Sequence, residues 1–173
     1  MEGFSTVLAE ATEAIASKFF YLPIDGGDPI YRERVYSYEL YHQLRKRWRD
    51  DSPWTLNGEV DKRAHPILSK TMTKGWCPDL LVHQPGLMKG NHAVIEIKHS
   101  DASDGELQAD LTKLEEFIQL AGYHRALLLV YGHDAGEKVK QVIASSKNDV
   151  EGVEFWAHEA PGQRAHRLRS CRH

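Results

Sequence analysis

Three residues carry the chemistry that the chain announces most plainly: Asp79, Glu96 and Lys98. Asp79 follows Pro78 and opens the apolar stretch LLV, while Glu96 and Lys98 stand two residues apart in AVIEIKHS. Side chains alternate along a strand, so Glu96 and Lys98 point to one face. Their neighbours Val94, Ile95 and Ile97 are apolar, which argues for burial. A buried charge without a partner costs several kcal/mol as a rough figure, and such a strand needs a compensating group. A divalent cation would be one. Carboxylates on adjacent strands offer hard oxygens suited to Mg²⁺, which can lower the pKa of a bound water and offset charge on a phosphate. A lysine beside them can orient the attacking water or stabilise developing negative charge. An isolated E-x-K is common by chance and elsewhere reads as a solvated ion pair worth little; its place in an apolar strand that follows a Pro-Asp sets this one apart.

The elements around these residues follow from periodicity. Phe4, Leu8, Ala11, Ile15 and Phe19 recur at helical spacing, which predicts an amphipathic helix over 5–19. After the turn YLPIDGGD, Asp28 and Pro29 read as an N-cap followed by proline at the first helical position. The second helix is thus predicted from Pro29 to about Trp48, with Tyr31, Val35, Tyr38 and Tyr41 inward. WTLNGEVDK, PDLLVH and AVIEIKHS read as three strands of a meander. Ser103 and Glu106 form a capping-box pattern before Leu107, Leu111, Leu114, Ile118 and Ala121, and Gly122 closes that helix. HRALLLVYG reads as a strand buried on both faces, 136–147 as a weaker helix, and VEFWAHE as a last strand.

A chain of 173 residues accommodates one domain around one core. The expected architecture is an α/β three-layer sandwich with a mixed central sheet: an N-terminal helix and turn over 1–28, an αβββαβ core over 29–132, and a helix, strand and basic tail over 133–173. Twenty-two Lys and Arg against 25 Asp and Glu leave a net charge of −3, so bulk charge does not advertise a nucleic-acid partner. Position modifies the sum. RKRWR at 45–49 and the tail with Arg164, Arg167, Arg169 and Arg172 are local basic segments, and acidic ligands attract phosphate once a cation is bound. Cys77 and Cys171 have no zinc or disulfide spacing, and neither a signal-peptide pattern nor a spanning run is evident. The expected location is therefore the cytoplasm.

Pro78-Asp79 followed by Glu96-Ile97-Lys98, with a helix before and a helix and apolar strand after, resembles the PD-(D/E)XK nuclease superfamily over roughly residues 30–132. The resemblance implies a restriction-endonuclease-like fold and metal-dependent cleavage of nucleic-acid phosphodiesters, with DNA the expected substrate. It implies Asp79 and Glu96 as ligands of Mg²⁺, for which Mn²⁺ would substitute, and Lys98 as the catalytic lysine. It also implies a glutamate on the first core helix near the metal, the position of Glu39, which flanks the apolar face in the row Val35, Glu39, Gln43. A surface glutamate is the equal alternative there, as it is for Glu59.

Gln43, Arg45, Arg47 and Lys113 are the candidate substrate contacts. Asp110 and Lys113 read as lying opposite the leucine stripe, with Gln108 close to its start, and a solvated face suits Lys113 and Gln108 better than a functional one. Trp48 and Trp54 could stack on bases, although core positions suit them better. His83, His92 and His99 flank the motif without zinc-enzyme spacing. So short a core leaves target choice to a homodimer or a partner protein, and a nuclease-like module that is silent on its own is the competing expectation. The blocks RERVYSYELYHQLR, LNGEVDKRAHP, PDLLVH and VIEIKH also look similar to small bacterial proteins labelled methionyl-tRNA formyltransferase-like. Formyl transfer would need an SLLP-type motif, which HPILS at 65–69 does not supply.

Overall fold

The computed structural model describes residues 3–60, 77–145 and 152–168. Its chain begins with α1 (Phe4–Glu13) and a short α2 (Ser17–Phe20), which divide the predicted 5–19 helix in two. The break at 14–16 lets both pieces bury their apolar residues: Phe4, Leu8 and Ala11 from α1, Ile15 between them, and Phe20 from α2. Next comes a small hairpin of β1 (Leu22–Ile24) and β2 (Gly27–Ile30). Asp28 and Pro29 therefore belong to a strand, correcting the expectation of a helix N-cap; Gly26, at φ +73°, supplies the left-handed residue the tight turn demands.

The helix α3 starts later, at Glu33, and runs to Arg47. Its inward row is Tyr36, Leu40 and Leu44, with Ser37 and Gln43 beside it, whereas Tyr38 is 56% exposed. Four-residue spacing of the leucines decides the inward face here, and the tyrosines, which tolerate water at the hydroxyl, follow it.

Three strands form the expected antiparallel meander: β3 (Thr55–Gly58), β4 (Leu80–His83) and β5 (Asn91–His99). The helix α4 (Asp104–Gln119) opens with the expected capping box: Ser103 Oγ accepts from the Glu106 amide, and Glu106 accepts from the Ser103 amide. It ends where Gly122 adopts φ +69°. Then follow β6 (Arg125–Tyr131), α5 (Ala135–Ser145) and β7 (Val153–His158). The tail adds an element the sequence did not suggest, β8 (His166–Leu168), paired antiparallel with β7.

The six strands lie in the order β3-β4-β5-β6-β7-β8, with β5, β6 and β7 parallel and the outer pairings antiparallel. Alternation divides their side chains between two cores. Leu81, Val94, Leu128, Val130 and Phe155 pack with α4 and α5 on one face. Leu80, Val82, Ile95, Ile97, Leu127, Leu129 and Trp156 pack with α1, α2 and α3 on the other. The result is the mixed-sheet α/β sandwich expected. Among the described residues no helix is long and apolar enough to cross a membrane. Arg169, Arg172, Cys171 and HPILS at 65–69 fall outside the described residues.

Candidate functional site

Because Val94 points to the α4 face, so do Glu96 and Lys98. Leu80 pairs with Ile95, and extending that register by one residue sets Asp79 opposite Glu96. Toward β3 the Asp79 carbonyl still accepts the Glu59 amide at 3.0 Å, but toward β5 the backbone ladder stops. There Asp79 Oδ2 accepts the Ile97 amide at 2.7 Å, a carboxylate in place of a strand carbonyl, and this bond fixes the side chain at the strand edge.

Around this pair the structure gathers further charges from two helices. Lys113 of α4 donates to Glu96 Oε2 at 2.7 Å and lies 3.1 Å from Asp110 Oδ1. Lys98 donates to Glu33 Oε1 at 2.8 Å, and its Nζ is 3.4 Å from Asp110 Oδ2. Four carboxylates thus face two ammonium groups at the carboxyl end of β5. The cluster is shielded from water: the Glu96 side chain is 2% exposed, Asp110 8%, Lys113 14% and Lys98 16%. Glu33 is the most open member at 31%.

Such enclosure shapes the acid–base chemistry. Burial pushes the Asp79 carboxyl up from 3.8 to about 6, against the Ile97 amide and the two lysines, which pull it down. Glu96 is raised well above the ordinary range, first by burial and then by Asp79, despite the ammonium of Lys113. Burial alone would lower both lysines, but Glu96 and Asp110 outweigh it and raise Lys113, and the Glu33 hydrogen bond with the charges of Asp110, Glu33 and Asp79 raises Lys98. Glu96 and Lys113 both move upward, from different causes. Desolvation decides it for Glu96, the most deeply buried acid of the cluster: this site holds a proton more readily than water would allow, and its amines stay charged.

Of the residues singled out from the sequence, Asp79, Glu96, Lys98 and Lys113 come together. Lys113 corrects the expectation of a solvated face, whereas Gln108 is exposed as expected. Glu39 does not join them by any contact. Its Oε1 accepts from Gln43 at 2.7 Å, and Gln43 Oε1 in turn accepts from Arg47 at 2.9 Å, a ladder of i, i+4 bonds along α3. Gln43 is buried, Arg45 is exposed, and both stand with Arg47 toward the far end of the helix, on the order of 20 Å from Glu33 at 1.5 Å per residue. Glu59 pairs loosely with Arg34 at 3.4 Å on the surface.

Two residues of the cluster escaped the sequence reading. Glu33 was obscured by the false start at Pro29, which placed it inside a helix rather than at the exposed first turn. Asp110, expected opposite the leucine stripe, is instead buried: it lies three residues after Leu107 and four before Leu114, at the border of the inward stripe, and a charge there demands partners. Nearby histidines have other roles. His83 Nε2 meets Asn57 Oδ1 at 2.9 Å, and His99 stacks on Tyr31 with the planes 9° apart.

Two cavities lie at the opposite end of α3. One of about 350 Å³ is lined by Phe4, Val7, Trp48, Pro53 and Trp54 with Arg47 and Arg49; the other, of about 300 Å³, shares Trp48, Arg49 and Trp54. Trp48 donates its indole N–H to the Trp54 carbonyl at 2.8 Å, and both rings pack partly buried against the core.

The donor set suits a hard divalent cation. Glu96 Oε1 is buried and has no hydrogen-bond partner, so one oxygen of the best-enclosed carboxylate is left over, with Asp79 across the register. Among the described residues, however, no group of three His, Cys, Asp or Glu side chains stands ready as a ligand set, and Lys113 takes the second oxygen of Glu96. Comparison with protein-family models, curated proteins and solved structures finds no match.

Proposed function

We propose that the chain is a metal-dependent nuclease that hydrolyses phosphodiester bonds in DNA. One observation supports this above the rest: Asp79, immediately before β4, and Glu96 and Lys98 on the adjacent β5 share a single enclosed polar cluster in which a Glu96 oxygen has no partner. A solvated ion pair would need no such enclosure. Asp79 and Glu96 would hold Mg²⁺ or Mn²⁺, which when bound supplies an activated water and offsets phosphate charge.

The chain's own residues divide the remaining work. Lys98 is held as an ammonium by Glu33 and Asp110. It therefore acts as a fixed positive charge and hydrogen-bond donor toward a phosphate oxygen or a water, never as a base. Asp110 positions both lysines by facing one with each carboxylate oxygen. Glu33, the most exposed member, marks the side from which substrate reaches the cluster.

The test is cleavage of plasmid, linear duplex, single-stranded DNA and RNA with Mg²⁺, Mn²⁺ or EDTA. DNA is cut with metal and spared with EDTA, and Asp79→Ala and Lys98→Ala abolish cutting. If the purified protein cuts nothing, or both variants cut as well as the parent, the assignment is wrong. A second reading is favoured by the Lys113–Glu96 bond at 2.7 Å: a nuclease-like module without metal, in which that pair is structural and the fold serves binding. Calorimetric titration with Mn²⁺ separates the two, since such a module shows no binding that depends on Asp79 and Glu96.

A further inference from the structure

The Lys113 amine sits where an incoming cation would act. It is 2.7 Å from Glu96 Oε2 and 3.1 Å from Asp110 Oδ1, so one ammonium bridges a carboxylate of β5 and a carboxylate of its own helix. Asp110 is three residues earlier on α4, within reach of Lys113 through side-chain rotation alone. Glu96 Oε1 is left without a hydrogen bond. Lys98, the other cation of the cluster, contacts Glu33 and Asp110 and makes no contact with Glu96. The two lysines thus have different relations to the proposed metal ligand although they share Asp110.

We propose that Lys113 is a tethered counter-cation that competes with the divalent metal for Glu96 and retreats to Asp110 as the metal binds. This rests on the metal-dependent reading above and adds a control to it: loading is an exchange of one cation for another rather than entry into bare carboxylates. The exchange keeps the buried charge nearly balanced at both stages. With the metal on Glu96 and Asp79, the lysine keeps Asp110 as its partner; with the lysine on Glu96, the acid is not left as an unpaired charge, which is the costly arrangement in an enclosed site. Metal affinity is accordingly set against an internal competitor, and weak loading at low metal concentration is built into α4.

Titration calorimetry with MnCl₂ on the wild type and on Lys113→Met, Lys113→Arg and Lys98→Met tests the exchange. Lys113→Met binds Mn²⁺ about tenfold tighter or more, Lys98→Met changes affinity by less than about threefold, and Lys113→Arg, which keeps the charge, binds no tighter than the wild type. If the wild type binds Mn²⁺ and Lys113→Met is no tighter than Lys98→Met, the exchange is refuted while the metal-dependent reading stands. Absence of binding in every protein, including the wild type, removes the metal-dependent reading and the exchange with it. Lys113→Gln replaces the Met variant if that one does not fold; loss of the fold in both assigns the lysine to structure and overturns the exchange.

Discussion

Replacing Asp79 by Asn is expected to make the metal-free protein more stable and, on the proposed reading, inactive. The carboxyl is raised from 3.8 to about 6, chiefly by burial. The folded state therefore holds its proton more tightly than the unfolded chain, and stability falls as pH rises from about 4 through about 6. A shift of roughly 2 units at 1.36 kcal/mol each amounts to about 3 kcal/mol by pH 7.5, and only about 1 kcal/mol at pH 4.5, where most of the buried acid is still protonated. Asparagine mimics the protonated acid and its Oδ1 can still accept the Ile97 amide, so it escapes the cost. Urea unfolding in EDTA at the two pH values reads the difference directly: the variant exceeds the wild type by about 1 kcal/mol at pH 4.5 and about 3 kcal/mol at pH 7.5, equivalent to a rise of roughly 6–12 °C in Tm at the higher pH. If the gap between variant and wild type does not widen with pH, Asp79 is not desolvated and the reasoning about this site fails.

Elsewhere the fold makes independent tests available. Arg125 meets the buried Glu154 through two bonds of 2.7 and 2.8 Å, so Arg125→Met strands a carboxylate and costs about 3 kcal/mol in denaturant unfolding, softened by Arg167 at 3.5 Å. Tyr36→Phe removes the hydroxyl that meets His158 Nδ1 at 2.8 Å in a fully buried setting and lowers stability by about 1–3 kcal/mol. Ser103→Ala breaks the capping box of α4 and costs about 1 kcal/mol, read as a lower Tm with the sheet unaltered by circular dichroism. His158 acts in the sense opposite to Asp79: burial lowers its pKa to about 4, so its contribution, present above pH 6.5, is lost as pH falls toward 4, which pH-dependent urea unfolding of the wild type reads as weakening in acid.

How far the chain discloses its own structure depends on the range of the signal. Alternation in AVIEIKHS and the four-residue spacing in α4 are local, and both the layer of Glu96 and Lys98 and the capped helix could be read from them. Asp28-Pro29 carries a local signal too, but the same pair suits the second strand of a tight hairpin, and packing of Phe20 against Tyr31 and Tyr36 decides between the two. The site shows the same division. Asp79, Glu96 and Lys98 were legible because a charge in an apolar strand is conspicuous. Glu33 was not, since its role depends on a helix start fixed by tertiary contacts, and neither was the bond from Lys113 to Glu96, which joins two elements whose docking no spacing rule encodes.

The strand β5 has neighbours on both edges, antiparallel β4 and parallel β6. Past Ile95 the strand pairs with β6 alone, and the Ile97 amide is held by Asp79 Oδ2, so exposing the amides of Glu96, Ile97 and Lys98 requires releasing both β6, which returns through a helical crossover, and that carboxylate. Hydrogen exchange at these amides is expected to proceed only by global unfolding. Glu33 is the contrast: it opens a helix whose N-cap, Arg32, makes no side-chain bond, and its amide exchanges through fraying. The proposed site thus combines a part that keeps its geometry for as long as the protein is folded with one carboxylate on a segment that opens and closes by itself.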